Sequence, residues 1–382
     1  MFTLSVKNSL DYLNQRNLID LSTKSLVNLD VIQAKNFNVL LTFSDGKKIL
    51  VKQERLNPKE KIGGDFLGEK SIQEFWRNFP ELEELNQFLP QLIDFDAENY
   101  IVVYNYLGSY QDLYQFYLKD KIFSTAIASS IGTTLGKIHR LTFQKQDYKI
   151  FLQQRESDSQ LHPVFHLINK LERIPPEIFG MIPKDGLKFF ALYQRFDSLG
   201  KAIAELGDSY CACCLTHNDL KLNNIILDKN WKNKPDNLVK FIDWERLRWG
   251  DPAFDLGMLI GNYIQMWLSS LMISKSLSIE ESLRLATIPL ETLQPSIGTL
   301  MLAYLKTFPD ILQTRPDFLK QVVQFTGFAL IQQIQVMLQY QKTFNNSGIA
   351  TLQVAKSLLC RPETSLPTVF GATFTQFSPL SV

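Results

Sequence analysis

The segment Leu215-Thr-His-Asn-Asp-Leu-Lys-Leu-Asn-Asn-Ile-Ile-Leu227 sets a histidine, an aspartate, a lysine and an asparagine between apolar ends. Two further strings follow, Phe241-Ile-Asp-Trp-Glu245 and Gly250-Asp-Pro-Ala-Phe-Asp-Leu-Gly257. Transfer of a phosphoryl group from ATP needs an oxygen-ligand magnesium site, a carboxylate beside the attacking hydroxyl and positive charge on the phosphates. These strings supply the first two. Asp219 is suited to orient a hydroxyl and accept its proton, and Asn224 and Asp243 to hold magnesium through hard oxygens. Other polar residues have blander readings. His217 fits a structural, hydrogen-bonded core histidine, Asp251 before Pro252 fits turn chemistry, and Trp244 fits packing.

The joint pattern is His-x-Asp with an asparagine five residues after that aspartate, then Ile-Asp-Trp-Glu, then Gly-Asp-Pro-x-x-Asp-Leu. It resembles the aminoglycoside phosphotransferase and choline kinase family, which shares its core fold and phosphoryl chemistry with protein kinases. Any one string is weak, whereas three in the right order are specific. The resemblance implies that Asp219 is the catalytic base and that Asn224 and Asp243 are magnesium ligands. It further implies that His217 supports the loop and that Asp255 braces it from the following helix. Lys221 stands two residues after the base, where protein kinases commonly carry a lysine and aminoglycoside-modifying members often do not. A lysine there would neutralise charge on the transferring group; the competing reading is a solvated loop lysine.

Upstream, Phe37–Phe43 and Lys48–Gln53 read as strands around Ser44-Asp-Gly-Lys47, an Asp-Gly hairpin signal. Val6 to Ile19 spaces its leucines as a short amphipathic helix, Gly68 to about Leu89 reads as helical, and Tyr100–Leu107 as a strand. Lys52, flanked by apolar residues, looks like the lysine that contacts the outer ATP phosphates. Its ion-pair partner is expected from the next helix. Glu69 is preferred over Glu74 because Ile72, Phe75 and Trp76 follow it in the register of an inward face. The strand ending at Leu107 would form the hinge, with the backbone of Asn105 and Leu107 bonding the adenine edge. Protein kinases place a glycine-rich loop between their first two strands; the corresponding turn, near Ala34-Lys-Asn-Phe37, contains no glycine.

Beyond Gly108 the pattern is mainly helical, apart from a β-rich island between Cys211 and Asp243. Apolar residues from Phe318 to Leu338 recur at helical spacing. Residues after Pro362, rich in Thr, Ser and Pro, read as a loose tail. The expected architecture is therefore α+β and two-lobed, protein-kinase-like. A small antiparallel β-rich lobe spans 1–107, and a larger, mostly helical lobe spans 108–382 and carries the catalytic loop and a substrate region. A cleft between such lobes is a natural ligand site. The resemblance covers about residues 25–260. Within it, Gly132-Thr-Thr-Leu-Gly-Lys-Ile-His139 resembles the family helix before the catalytic loop. Two gaps differ from protein kinases: the long one from His139 to His217 leaves room for inserted helices, and the short one from Asp243 to Asp251 leaves no room for a long activation segment.

The 382 residues carry a formal net charge of +1, with 45% in the hydrophobic set. This is ordinary globular composition with no electrostatic footprint for nucleic acid or anionic membrane. The first residues lack a secretory pattern and no apolar run is long enough to span a membrane, so a cytoplasmic protein is expected. Four cysteines make no disulfide framework. Cys211 and Cys214 have a zinc-like spacing but no second ligand pair. From Gly250 onward acids and bases are equal in number, which disfavours a polycationic aminoglycoside as acceptor. ATP and magnesium are the expected cofactors, and a small-molecule alcohol the expected substrate. The alternatives are a peptide Ser/Thr or a nucleotide-binding scaffold with little turnover.

Overall fold

The structure is a computed structural model that describes residues 2–20, 25–33, 36–55, 65–154, 165, 171, 182–274 and 276–377. Its contacts divide the chain into two compact units, Met1–Leu113 with Asn224–Leu247, and Tyr114–Asn223 with Arg248–Val382. The expected division lay at 107/108; in the structure the chain leaves the first unit and returns to it once.

The first unit is built on an antiparallel sheet of β1 (Leu26–Gln33), β2 (Phe37–Phe43), β3 (Lys48–Gln53), β4 (Leu92–Asp96) and β5 (Ile101–Asn105), in the order β1-β2-β3-β5-β4. The β2–β3 hairpin turns at the Asp-Gly pair. Gly46 takes φ +81°, a left-handed conformation that glycine adopts without steric cost, and the Asp45 carboxylate accepts the Lys47 N–H at 2.9 Å. Alternation sends Val39, Leu41, Ile49, Val51, Ile101 and Val103 to one face, where Leu13 and Tyr12 of α1 (Ser9–Gln15) close the core. The opposite face carries Val102 and Tyr104, packed with Phe66 of α2 (Asp65–Asn78). The helix expected to reach Leu89 stops at Asn78, and a 3₁₀ segment runs from Pro80 to Phe88. Pro80 explains the break, since proline cannot continue the helical hydrogen bonding and biases the preceding residue away from helix.

β6 (Tyr110–Asp112) belongs with two strands of the returning segment, β8 (Ile225–Asp228) and β9 (Val239–Phe241), in a three-stranded sheet ordered β6-β8-β9. β7 (Cys214–Thr216) lies in the second unit and pairs antiparallel with β10 (Arg248–Gly250). Among the described residues the second unit is otherwise mainly helical. Its helices are α3 (Leu113–Asp120), α4 (Thr125–Thr142), α5 (Gln146–Gln153), α6 (Lys184–Gln194), α7 (Asp197–Asp208) and α8 (Pro252–Ser270). They continue as α9 (Ile279–Arg284), α10 (Leu290–Thr307), α11 (Asp310–Thr314), α12 (Phe318–Tyr340), α13 (Asn346–Cys360) and α14 (Pro362–Phe370). α4 packs along α10, and α8 along α12, where Phe254, Phe325 and Phe328 meet edge to face.

The end of the chain differs from the expected tail. Pro362 opens α14, where a missing N–H costs nothing, and Val369, Phe370 and Phe377 are buried. Burial of those three side chains offsets a weak helical composition. Among the described residues no helix is long and apolar enough to cross a membrane, and no group of three or more His, Cys, Asp or Glu is placed to hold a metal. Cys213 and Cys214 are instead buried and all four thiols are free. The turn expected at Ala34–Phe37 lies partly outside the described residues.

Candidate active site

The first unit holds the residues expected at the phosphates and the metal. The Lys52 ammonium donates to Asp243 Oδ1 at 2.5 Å, although the two residues are 191 positions apart in sequence. Lys52 is fixed by its strand: it pairs in register with Asn38 of β2 and Val102 of β5. Burial alone would depress the lysine's pKa, but the Asp243 and Glu69 carboxylates outweigh it and the net direction is upward. The lysine therefore stays charged.

Asp243 follows β9 with φ +59° and ψ 59°. This left-handed conformation costs on the order of 1 kcal/mol for a residue with a Cβ and turns the carboxylate toward Lys52. Asn224 ends its loop where β8 begins, and its carbonyl accepts the Ile242 N–H at 2.9 Å. Since Ile225 pairs with Phe241, Asn224 and Asp243 stand at the same end of the β8–β9 ladder. An amide oxygen and a carboxylate held together are hard donors of the kind magnesium takes alongside substrate phosphates.

The expected Lys52–Glu69 ion pair takes a different form. Glu69 is buried, at 3% exposure, and close enough for its charge to act on Lys52, but its carboxylate accepts the Tyr104 hydroxyl at 2.6 Å. Burial pushes Glu69 upward, Lys52 and the Tyr104 hydroxyl oppose it, and the carboxyl settles at about 7. Glu74 pairs with Lys70 at 3.3 Å on the outer side of α2. The Lys52 ammonium also lies 5.7 Å from the Tyr104 ring centre. Tyr104 thus touches both partners, and nothing in a single sequence marks it out from the neighbouring Tyr100 and Tyr106.

Gly68 explains how α2 comes close enough to place Glu69. A Cβ at Gly68 would lie 2.2 Å from the backbone carbonyl oxygen of Glu245, two residues beyond Asp243. Gly68→Ala should therefore push the helix away, with a loss of about 1–3 kcal/mol of stability and reduced turnover. Denaturant titration checks the first effect; unchanged stability would show that the contact yields without strain.

At the end of β5, the Asn105 N–H donates to the Gln91 carbonyl at 3.0 Å, and the Leu107 carbonyl accepts the Tyr110 N–H at 2.9 Å.

The second unit holds the residues expected in the catalytic loop. Asp255, fully buried on α8, accepts the backbone N–H groups of His217 at 2.7 Å and Asn218 at 2.8 Å. These charge-assisted bonds hold the loop in shape, and Asn218 adopts φ +60°. His217 is buried, and its Nδ1 lies 3.4 Å from the Asp219 N–H. Asp219 itself is partly exposed, and the Lys221 ammonium donates to its Oδ2 at 2.9 Å.

Asp255 is backed by His139, whose Nε2 lies 3.4 Å from Asp255 Oδ2 and whose Nδ1 lies 3.0 Å from the Tyr304 hydroxyl. Asp251 caps α8 through Ala253 N–H and is clamped by both terminal nitrogens of Arg315, at 2.6 and 2.8 Å. Where turn chemistry was expected at Asp251, the structure shows a helix cap, and the arginine that clamps it is 64 residues away.

The fold is kinase-like. The structure resembles an ethanolamine kinase from Plasmodium vivax, with a TM-score of 0.54 and 16% identity over 92% of this chain and 87% of that one. It also resembles a choline kinase from Cryptosporidium parvum Iowa II, with a TM-score of 0.52 and 14% identity over 97% and 100% of the two chains. No curated protein matches the chain by sequence. The model of the phosphotransferase enzyme family matches residues 69–274, more than half of the chain, which therefore belongs to that family.

Proposed function

We propose that the protein transfers the γ-phosphoryl group of magnesium-bound ATP to a hydroxyl of a small-molecule alcohol. The observation that carries this reading is the partly buried contact of Lys52 with Asp243, with Asn224 at the same end of the ladder. Lys52 neutralises the outer phosphates, and Glu69, held by Tyr104, keeps it in place. The Asn105 carbonyl and Leu107 N–H take the adenine edge. Asn224 and Asp243 supply the oxygen ligands for magnesium, which neutralises phosphate charge when bound. Asp219 accepts the proton of the acceptor hydroxyl as its oxygen bonds to the γ-phosphorus and the bond to the β–γ bridging oxygen breaks, releasing ADP. Lys221 offsets charge on the transferring group. His217 and Asp255 act only by holding the loop.

The acceptor is a small alcohol of low charge. The equal numbers of acids and bases after Gly250 provide no general attraction for a polycation. The test is transfer of label from γ-labelled ATP, with choline, ethanolamine, a kanamycin-type aminoglycoside and fractionated cell extract as acceptors. Label is expected in a small-molecule fraction and not in the aminoglycoside. Efficient labelling of the aminoglycoside, or label confined to peptides, would overturn the assignment of the acceptor.

A further inference from the structure

Asn38 is a polar residue in an apolar strand. Its neighbours Val39, Leu40 and Leu41 are buried, and Asn38 is only 8% exposed. Its side-chain Oδ1 has no hydrogen-bond partner among the described residues. Buried polar atoms in native proteins are paired as a rule, and exceptions concentrate where a fold keeps a group for a ligand. A leucine would fit the pattern of the strand and leave nothing unpaired.

The register shows where this amide stands. Asn38 of β2 is directly opposite Lys52 of β3, and residues directly opposite in an antiparallel pair share a face with their Cβ atoms about 5 Å apart. The amide therefore lies beside the ammonium assigned to the ATP phosphates. An asparagine amide offers two N–H donors and a carbonyl acceptor, and a half-turn of its last torsion exchanges the two ends. Lys52 has three donors, of which one goes to Asp243. One amide can thus take an N–H of Lys52 on its oxygen and present its own N–H groups to a phosphate oxygen.

We propose that Asn38 is a nucleotide-contacting residue that binds the phosphate chain of ATP beside Lys52. It supplies from a side chain the donors that a glycine-rich turn supplies from its backbone; the sequence Ala34–Phe37 contains no glycine. The proposal rests on the assignment of Lys52 to the phosphates.

The test is calorimetry with magnesium–ATP, magnesium–ADP and adenosine, beside thermal midpoints, for the wild type, Asn38→Leu, Asn38→Asp and Lys52→Met. Asn38→Leu is expected to weaken ATP and ADP by about tenfold, the loss of one hydrogen bond to a charged group. Adenosine affinity should stay within about twofold, and the thermal midpoint should hold or rise because an unpaired buried group has been removed. Asn38→Asp, with the same shape, should weaken ATP at least as much, since a carboxylate offers no N–H and repels phosphate. If the leucine variant does not fold, the aspartate variant alone decides.

Unchanged ATP affinity in the folded Asn38 variants, with a loss in Lys52→Met, would overturn the Asn38 contact and leave the Lys52 assignment standing. An equal loss for adenosine and ATP would move the contact to the nucleoside and overturn the phosphate role. Full ATP affinity in Lys52→Met would show the nucleotide site to be misplaced, and the Asn38 contact would fall with it.

Discussion

Replacing Asp219 by asparagine is expected to lower phosphoryl transfer by about 10²- to 10⁴-fold, the range of general-base assistance. The substitution keeps size and shape but removes the proton-accepting carboxylate. It should not disturb the loop, because the loop is shaped by Asp255 through the N–H groups of His217 and Asn218 rather than by the Asp219 side chain. The ion pair with Lys221 is lost, but it is partly exposed and worth little to stability. Turnover should therefore fall without a matching change in melting temperature. A variant that loses stability and activity in proportion would make Asp219 a structural residue.

Lys52→Ala is expected to lower turnover by roughly 10²- to 10³-fold, as for removal of other pre-placed electrostatic donors. Lys52 stands among Asp243, Glu69 and Glu245, whose charges all act on it. Its removal leaves those carboxyls facing one another with no cation between them. Glu69, already pushed up to about 7 with Lys52 present, should then hold its proton more firmly, because the lysine is the main charge opposing that shift. The variant should lose ATP affinity as well as turnover, in contrast to Asp219→Asn. Unchanged turnover would remove Lys52 from the site.

The reaction class and the kinase-like fold were readable from three short strings because phosphoryl transfer constrains residue types at fixed spacings, and those spacings survive in local sequence. The β2–β3 hairpin was readable for the same local reason, a turn that needs a left-handed residue at Gly46. Features that depend on partners distant in sequence were not. Tyr104 reads as another strand aromatic, and only the placement of α2 brings Glu69 to its hydroxyl. Asn38 reads as one polar residue in a strand, and its importance comes from standing opposite Lys52 in a chosen register. Arg315 and His139 read as ordinary helix-region polar residues until Asp251 and Asp255 are brought to them. The residues after Pro362 misled because their composition is that of a tail while Val369, Phe370 and Phe377 find a core.

The assignment of metal ligand and base to Asp243 and Asp219 is tested most directly by calorimetric titration of ATP into Asp243→Asn and Asp219→Asn at several magnesium concentrations. Hard cations favour carboxylate oxygen, so Asp243→Asn should demand more magnesium and bind ATP weakly at low magnesium. Asp219→Asn should bind magnesium–ATP nearly as the wild type does while failing to transfer phosphate. Loss of magnesium–ATP affinity in Asp219→Asn with wild-type affinity in Asp243→Asn would contradict the account, since it would exchange the metal ligand and the base.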